Sequence, residues 1–290
     1  MRKLFRFKRL RRGGRSRVGN AALFVVMIAL SVLMIAPLVY SVINSFKPLD
    51  ELWVFPPRFF VVNPTFKNFT DLFKLMGDSW VPFSRYIFNT AFISVVGTAG
   101  NVLFSAYAAY AIAKIPFPGR NFLFKIVVYS LMFNSTVTGI TNFITMSALG
   151  WVDTYFAVIV PAFCTTFGLY LMKQFMEQLP DTLLEAAEID GAGEWTKFWH
   201  IAMPNVKSAW LTLIVFSVQS LWNISATNFV YREEIKPLGV AFTQAVASGT
   251  ISRAGVSAAV TVVMMSVPIV VFLFTQSRII ETMTTSGIKE

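Results

Sequence analysis

Six long stretches of this 290-residue chain contain no Asp, Glu, Lys or Arg, and this pattern limits the possible folds more than any other feature. Each stretch is long enough to cross a bilayer as one helix of about 20 residues. The stretches are continuously apolar, whereas the strands of a membrane β-barrel alternate in character over about 10 residues. The sequence therefore predicts an all-α polytopic membrane protein with six transmembrane helices, at 18–46, 86–113, 126–152, 154–172, 208–231 and 254–277.

The distribution of basic residues predicts how these helices are oriented. Residues 1–17 contain nine Lys or Arg and no acidic residue. Because positive charge is retained on the cytoplasmic side, we expect a basic cytoplasmic N-terminal segment at 1–17 and one transmembrane domain at 18–290. An even number of helices returns the C-terminus to the cytoplasm. The same basic segment supplies most of the net charge of +10, which therefore gives little reason to expect nucleic-acid binding.

Several prolines lie in the segment between the first two predicted helices. Phe55-Pro56-Pro57 and Asn63-Pro64 lie in this stretch, residues 47–85. Proline interrupts regular helices, so we expect an irregular, partly helical external loop there. In the second predicted helix, Ser105, Ala109 and Ala113 recur every fourth position and allow a neighbouring helix to approach closely. That helix is predicted to be central in the bundle.

The chain carries few groups that could perform catalysis. It has no Gly-x-x-x-x-Gly-Lys-Ser/Thr loop, so we do not expect this chain to hydrolyse ATP by itself. His200 is the one histidine and Cys164 the one cysteine, which leaves no second member for a metal cluster, a His-dependent triad or an internal disulfide. We therefore expect a chain that is not an enzyme and that binds no cofactor or metal.

Uncharged polar residues do occur within the predicted helices. Their simplest interpretation is hydrogen bonding between helices. Two clusters, at 134–142 and at 222–228, also suit a passing sugar, because an indole beside an amide combines a stacking face with hydrogen-bonding groups. The candidates for a substrate pathway are Asn134, Thr138, Asn142, Trp222, Asn223 and Asn228, and the other polar residues of this kind are Asn89, Asn101, Thr136, Gln219 and Gln276.

A polar segment at 181–204 separates the fourth and fifth predicted helices, on the cytoplasmic side by the topology above. Thr182 and Glu185 form a capping-box pattern that predicts a short helix, and Gly191 can end that helix in a left-handed conformation. A second helical turn follows, and Pro204 suits the start of the fifth transmembrane helix. One apolar face with spacing 3, 4 and 7 is formed by Trp195, Phe198, Trp199 and Ala202. An amphipathic helix lying on the membrane surface is the alternative interpretation.

The order of residues in this segment resembles the signature loop of ABC importer permeases. Glu185-Ala186-Ala187 is followed by a glycine six positions after the glutamate, and then by Phe198, Ile201 and Pro204. The rest of the chain is similar to the maltose-type oligosaccharide permeases, and one departure is Ser208, where many members have a second proline. Further similar segments are Ser45-Phe46-Lys47-Pro48, Asn89-Thr90, Ala108 to Phe117, Leu149-Gly150-Trp151, Trp222-Asn223 and Gly287-Ile288-Lys289.

The resemblance implies a role for the polar segment. In that family the loop forms a coupling helix that sits in a cleft of a cytoplasmic ATPase, and the corresponding stretch here is Glu185 to Ala192. The residues that the resemblance assigns to ATPase coupling are Glu185, Ala186, Ala187, Asp190, Gly191, Ala192, Phe198, Ile201 and Pro204.

The resemblance also implies the function. It indicates the permease subunit of an ATP-driven ABC importer in the bacterial cytoplasmic membrane, which moves a sugar, and more specifically an oligosaccharide, by alternating access. The implied partners are a second homologous permease subunit, two copies of a cytoplasmic ABC ATPase that bind ATP and Mg, and an extracytoplasmic sugar-binding protein. The alternatives are an energy-independent carrier or channel, a membrane scaffold or sensor subunit, and an ABC permease for a solute that is not a sugar.

Overall fold

The computed structural model describes residues 17–77, 81–133, 135–225, 229–247 and 253–286, and every regular element in them is helical. The first seven helices are α1 (Arg17–Ser45), α2 (Leu49–Leu52), α3 (Lys67–Gly77), α4 (Phe83–Lys114), α5 (Arg120–Ser130), α6 (Ser135–Ala148) and α7 (Phe156–Ala162). The other α-helices are α8 (Thr166–Glu177), α9 (Asp181–Ile189), α10 (Glu194–Thr196), α11 (Met203–Asn205), α12 (Lys207–Trp222), α13 (Leu238–Ala247) and α14 (Ala254–Ser286). A π-helical turn at Lys197–Ala202 and a 3₁₀ turn at Glu233–Ile235 complete the described elements. The all-α prediction is confirmed.

Four helices of the described residues are long and apolar enough to cross a membrane. They are Gly19–Ser45 within α1, Phe83–Lys114, Phe156–Glu177, which joins α7 to α8, and Ala254–Ile279 within α14. A fifth crossing results if Glu194–Asn205 and α12, which meet at a bend of 77°, count as one span. A polytopic membrane protein is therefore confirmed, and the number six stays a prediction.

The predicted third span, 126–152, is divided in two. Helix α5 ends at Ser130 and α6 begins at Ser135, so each piece is shorter than the bilayer is thick. A turn at Leu131 to Phe133 separates them, in which the Met132 N–H donates to the Tyr129 carbonyl at 3.0 Å and the Phe133 N–H to the Ser130 carbonyl at 3.2 Å. Hydrogen bonds between residues three apart tighten a helix end, and here they end α5.

Helix α4 is the centre of the bundle, as its small residues predict. It packs against α7, α8, α12 and α13, while α1 and α12 pack against α14. Ser105 and Ala109 of α4 are fully buried. Gly168 of α8 lies so close that an added Cβ would be 2.8 Å from the Ser105 Oγ, so glycine is required for this approach.

Two buried amides of α4 fix its neighbours. The Asn101 side chain donates to the Ser217 Oγ of α12 at 2.7 Å and accepts hydrogen bonds from Ser105 and Thr165. Near the other end, the Asn89 amide donates to the carbonyls of Glu234 and Lys236, and the Tyr155 hydroxyl donates to the Asn89 Oδ1 at 2.6 Å. Interhelical hydrogen bonding, the simplest interpretation of these amides, is confirmed at both positions.

The segment between α1 and α4 is irregular and partly helical, as its prolines predict. Two buried charged residues fix it: the Lys47 Nζ donates to the Arg58 carbonyl, and the Glu51 carboxylate accepts the Val62 N–H at 2.6 Å. Helix α3 lies against α14, and its buried Asn68 amide donates to the Ser45 carbonyl at the end of α1 at 2.9 Å. This segment therefore belongs to the folded body of the protein.

An ion pair closes the same end of the molecule. The Asp153 carboxylate accepts hydrogen bonds from the backbone N–H groups of Tyr231 and Arg232, and the Arg232 Nε lies 2.9 Å from its Oδ2. Burial alone would raise the pKa of this carboxyl, but the three donors together hold the pKa of Asp153 below its usual value. The residue also adopts a positive φ of 63°, in the left-handed region.

Candidate coupling site

Helix α9 forms the first part of the polar segment and begins earlier than the sequence pattern predicts. The capping box at Thr182 and Glu185 is wrong, because Pro180 precedes the helix in an extended conformation with φ −60° and ψ 130°. The Pro180 carbonyl accepts the Leu183 N–H at 3.2 Å, so the helix starts at Asp181. Thr182 then lies inside the first turn, where it cannot cap the helix.

The end of α9 agrees with the prediction. Gly191 has a φ of +81°, in the left-handed region. The Gly191 N–H donates to the Glu188 carbonyl at 3.0 Å and the Ala192 N–H to the Ala187 carbonyl at 2.9 Å. This pair of bonds is a Schellman motif, which satisfies the last carbonyls of a helix. An added Cβ at Gly191 would meet no atom within 4 Å, so the backbone conformation is what requires glycine.

Lys114, the last residue of α4, holds the start of α9. Its Nζ donates to the Leu179 carbonyl at 2.6 Å and lies 2.6 Å from the Asp181 Oδ1. The Lys114 side chain is 6% exposed, while that of Asp181 is largely in solvent. A buried ammonium is stable only with acceptors around it, so this lysine fixes the junction between α8 and α9.

A second set of polar contacts holds the stretch after α9. The Tyr110 hydroxyl donates to the Glu194 Oε2 at 2.9 Å. Lys197 is a buried residue, and its Nζ lies 2.5 Å from the Glu194 Oε1 and 3.1 Å from the Glu188 Oε2. These contacts connect α4, α9 and α10 through one chain of charged and hydroxyl groups.

The apolar face of the second helical turn packs on one tyrosine of α4. The Tyr107 ring is stacked on Trp195 at 5.2 Å and on Phe198 at 4.6 Å between ring centroids, and it meets Trp199 edge-on at 6.0 Å. Phe198 is 2% exposed, whereas Trp195 is 66% exposed. The predicted apolar face is confirmed in part, because Phe198 and Ala202 are buried against the bundle while Trp195 and Trp199 are exposed.

A π-helical turn at 197–202 connects this face to α11 and α12. Pro204 stands at the start of α11, as its missing N–H favours. The Trp210 Nε1 donates to the Met203 carbonyl at 3.1 Å across the bend of 77° that follows. The segment therefore approaches α12 at a steep angle.

The residues assigned to coupling fall into two groups. Glu185, Ala186, Asp190 and Gly191 are exposed, and Ala187 and Ala192 are half-buried beside them. Phe198 and Ile201 instead belong to the apolar core of the bundle, and Pro204 is an exposed residue of the bend. The first group forms a surface together with Ile189, which is 88% exposed.

Three residues of α4 that contact this segment were not singled out from the sequence. Tyr107, Tyr110 and Lys114 lie one helical turn or less apart along the end of α4. Tyr110 and Lys114 fall within residues 108–117, which resemble the family, whereas Tyr107 lies just before them. A tyrosine and a lysine at the end of an apolar helix have, however, a simpler interpretation as residues of the membrane interface.

The substrate-pathway candidates are placed in part. Asn134 and Asn228 lie outside the described residues, and Thr138 and Asn142 are exposed on α6. Asn223 is exposed at the end of α12, and its amide donates to the Gln219 carbonyl at 2.8 Å. The neighbouring Trp222 is 9% exposed, and its Nε1 has no hydrogen-bond partner in the described part of the chain. Trp222 and Asn223 are thus adjacent, while a complete pathway is not defined.

Several known proteins are similar to this chain. Protein LplC of Bacillus subtilis (strain 168) is 37% identical over 190 residues, 65% of this chain and 62% of that protein. The arabinooligosaccharides transport system permease protein AraQ of Halalkalibacterium halodurans is 30% identical over 264 residues, 87% of this chain and 90% of that protein. The sn-glycerol-3-phosphate transport system permease protein UgpE of Yersinia enterocolitica is 31% identical over 202 residues, 68% of this chain and 71% of that protein.

The fold is also known. A chain from the crystal structure of a bacterial ABC transporter involved in the import of the acidic polysaccharide alginate superimposes with a TM-score of 0.73 at 23% identity. The match covers 91% of this chain and 98% of that one. The family model described as binding-protein-dependent transport system inner membrane component matches residues 101–284, which include the whole 181–204 segment. This chain therefore belongs to the family of binding-protein-dependent transport system inner membrane components, as its resemblance to ABC importer permeases indicated.

Proposed function

We propose that this chain is the membrane-spanning permease subunit of an ATP-driven ABC importer that moves an oligosaccharide by alternating access. The observation that carries this proposal is the 181–204 segment. A helix whose end requires glycine stands exposed at the end of the bundle, and two buried lysines hold it against the bundle. An exposed but firmly held helix suits the transmission of force from a separate ATPase.

The surface of α9 supports contact with that ATPase. Ala186 and Gly191 add little bulk, so another protein can approach the backbone closely. Ile189 extends an apolar side chain away from the bundle, and Glu185 and Asp190 offer carboxylates to a basic partner. Exposed apolar groups beside charged ones are typical of a protein interface.

The proposed topology has six spans and both termini in the cytoplasm. In this arrangement α5 and α6 together form the third span, and α10 to α12 lead into the fifth. The nine basic residues of 1–17 and the basic residues Lys114, Arg120 and Lys125 then all lie on the cytoplasmic side. The 181–204 segment lies on that side as well, where ATP is available.

The proposed assembly contains four kinds of subunit. A second homologous permease completes the transmembrane channel, two copies of an ABC ATPase bind ATP and Mg, and an extracytoplasmic binding protein delivers the sugar. One similar structure, at a TM-score of 0.60 and 17% identity, is that of a bacterial alginate ABC transporter in complex with an alginate pentasaccharide-bound periplasmic protein. In the mechanism, closure of the ATPases moves α9 in each half, and the halves rock between inward-facing and outward-facing states.

An oligosaccharide is the solute that the chain suits best. Relatives are named as permeases for arabinooligosaccharides and for polygalacturonan and rhamnogalacturonan. The six uncharged stretches offer amides, hydroxyls and indoles, which bind sugar hydroxyls. The second candidate is a phosphate ester, because another relative is named for sn-glycerol-3-phosphate.

Affinity purification from native membranes, followed by mass spectrometry of the bound proteins, tests the assembly. Recovery of a second permease and an ABC ATPase in comparable amounts is the expected result. Reproducible recovery of this chain alone, under conditions that preserve other membrane complexes, would contradict the proposal and favour an energy-independent carrier. Uptake assays with the purified assembly then distinguish oligosaccharides from phosphate esters.

A further inference from the structure

Both ends of α9 are attached to a single turn of α4. Lys114 contacts the residues that lead into α9, and Tyr110 contacts Glu194, which follows it. We propose that Lys114 and Tyr110 are positioning residues that make α9 and α4 move as one body, so that force from the ATPase enters the bundle through α4. This inference depends on the proposed function, because it names the path by which that coupling site acts.

The Lys114 contact restricts the conformation of the junction between α8 and α9. Leu179 and Pro180 form that junction, and the proline has no backbone N–H to donate to a neighbouring carbonyl. The Lys114 ammonium binds the carbonyl before the proline and the carboxylate after it, both at 2.6 Å. Because its side chain is nearly buried, movement of α9 away from α4 would leave this charge without acceptors.

The Tyr110 contact does the same at the other end. Its hydroxyl binds Glu194, whose second oxygen binds Lys197. Lys197 also forms an ion pair with Glu188 in the last turn of α9. Lys197 is buried, so it too must keep its carboxylates. The two attachment points lie four residues apart on α4, which is about one turn of helix.

Helix α4 can carry such a displacement through the molecule. It is unbroken from Phe83 to Lys114 and contains no proline, and 32 residues correspond to about 48 Å of helix. Asn101 binds α12 along the way, and Asn89 binds the carbonyls of Glu234 and Lys236 near the opposite end. The covalent connections are less direct, because α12 leaves the segment at a bend of 77° and α8 is separated from α7 at 163–165.

The test uses the complete purified assembly in proteoliposomes and measures the sugar imported per ATP hydrolysed. Lys114→Met removes the ammonium but keeps an unbranched side chain as far as Cε, and Tyr110→Phe removes one hydroxyl but keeps the ring against Phe198. We expect each variant to hydrolyse ATP yet to import about fivefold less sugar per ATP, the lower range of a typical coupling. Lys114→Arg, which keeps the charge and the donors, should restore the ratio.

Lys173→Met is the matched control. Lys173 is also a buried lysine near the same end of the bundle, but its ion pair is with Glu177 of its own helix and its ammonium lies 3.7 Å from the Phe124 ring centroid. Loss of this lysine should leave the ratio unchanged. A double variant, Lys114→Met with Asp181→Asn, should be no worse than Lys114→Met alone, since both act on one contact.

Hydrogen exchange separates positioning from general destabilisation. In the assembly, Lys114→Met should increase exchange in 181–189 while α14 stays protected. If the assembly forms and transports, an unchanged import ratio in both Lys114→Met and Tyr110→Phe would overturn the inference. An assembly that contains no ATPase would instead contradict the proposed function itself, so the two failures are distinguishable.

Discussion

The Asn101 side-chain amide donates to the Ser217 hydroxyl at 2.7 Å, and this bond joins α4 to α12, the helix that follows the 181–204 segment in the chain. The Asn101 Oδ1 also accepts the backbone N–H of Thr165, where α8 begins after its break from α7. A single buried amide therefore fixes three helices, which explains why a polar group is placed in the apolar centre of the bundle.

Replacement of Asn101 by Ala should destabilise the protein. The change leaves the Thr165 N–H without its acceptor and the Ser217 hydroxyl without its donor. We expect a loss of about 1–3 kcal/mol in the free energy of unfolding, the usual penalty for an unsatisfied buried group. Denaturant unfolding in detergent micelles measures this. Asn223→Ala is the control, because that exposed amide bonds within its own helix, and an equal loss there would contradict the account.

Replacement of Gly191 by Val should uncouple ATP hydrolysis from import. Any side chain is disfavoured at a φ of +81°, and a β-branched one most of all, so the end of α9 should deform where the ATPase is proposed to dock. Import per ATP is the measurement, with insertion of the chain checked by its abundance in membranes.

Gly193→Val is a close control for that experiment. Gly193 lies two residues away with a φ of −72° and a ψ of 165°, which valine adopts easily, and an added Cβ would meet no atom within 4 Å. Full import by the Gly191 variant, or an equal loss in both variants, would show that the left-handed turn is not what coupling requires.

The sequence predicts the polar segment well because its signals are local. The left-handed glycine at 191 and the proline at the start of α11 each depend on a few neighbouring residues, and both are confirmed. The start of α9 differs from the prediction. The capping pattern places the residue before the helix at Thr182, but in the structure that residue is the extended Pro180, two positions earlier. Contacts of Lys114 and Tyr110 depend on how α4 packs on the segment, which local patterns do not contain.

Phe198 and Trp195 should respond differently to truncation although both contact Tyr107. Phe198→Ala removes a ring from the core and should cost about 3–5 kcal/mol of unfolding free energy. Trp195→Ala removes a mostly exposed ring and should change stability by far less. Thermal unfolding of both variants in detergent checks the difference, and equal destabilisation would mean that the segment does not pack as described.

The Asp153 ion pair predicts a pH dependence. The folded pKa of Asp153 lies below its unfolded value, so its contribution is present above the unfolded pKa, about 3.9, and is lost as the pH falls through the folded value. The difference in unfolding midpoint between the wild-type chain and Asp153→Asn should therefore be constant from pH 7 to about pH 5 and shrink below that. A constant difference down to the lowest pH would contradict this role for the carboxylate.

The transmembrane pattern was predictable in outline. Continuous apolar stretches predict that helices cross the membrane, but they do not show where a helix breaks, and the turn at Leu131 to Phe133 divides one stretch without any proline or charge. The polar residues within the spans illustrate the same limit. Asn89 and Asn101 proved structural because of their partners, whereas Trp222 has a buried Nε1 that no described partner satisfies.

The most direct test of the proposed function is oligosaccharide uptake by proteoliposomes that contain the purified assembly, with ATP supplied on the ATPase side and the binding protein on the other. Uptake against a concentration gradient that requires ATP and the binding protein, and that falls when α9 carries Gly191→Val, is the predicted result. Uptake that proceeds equally without ATP, or with this chain as the sole protein, would contradict the central claim and show an energy-independent carrier.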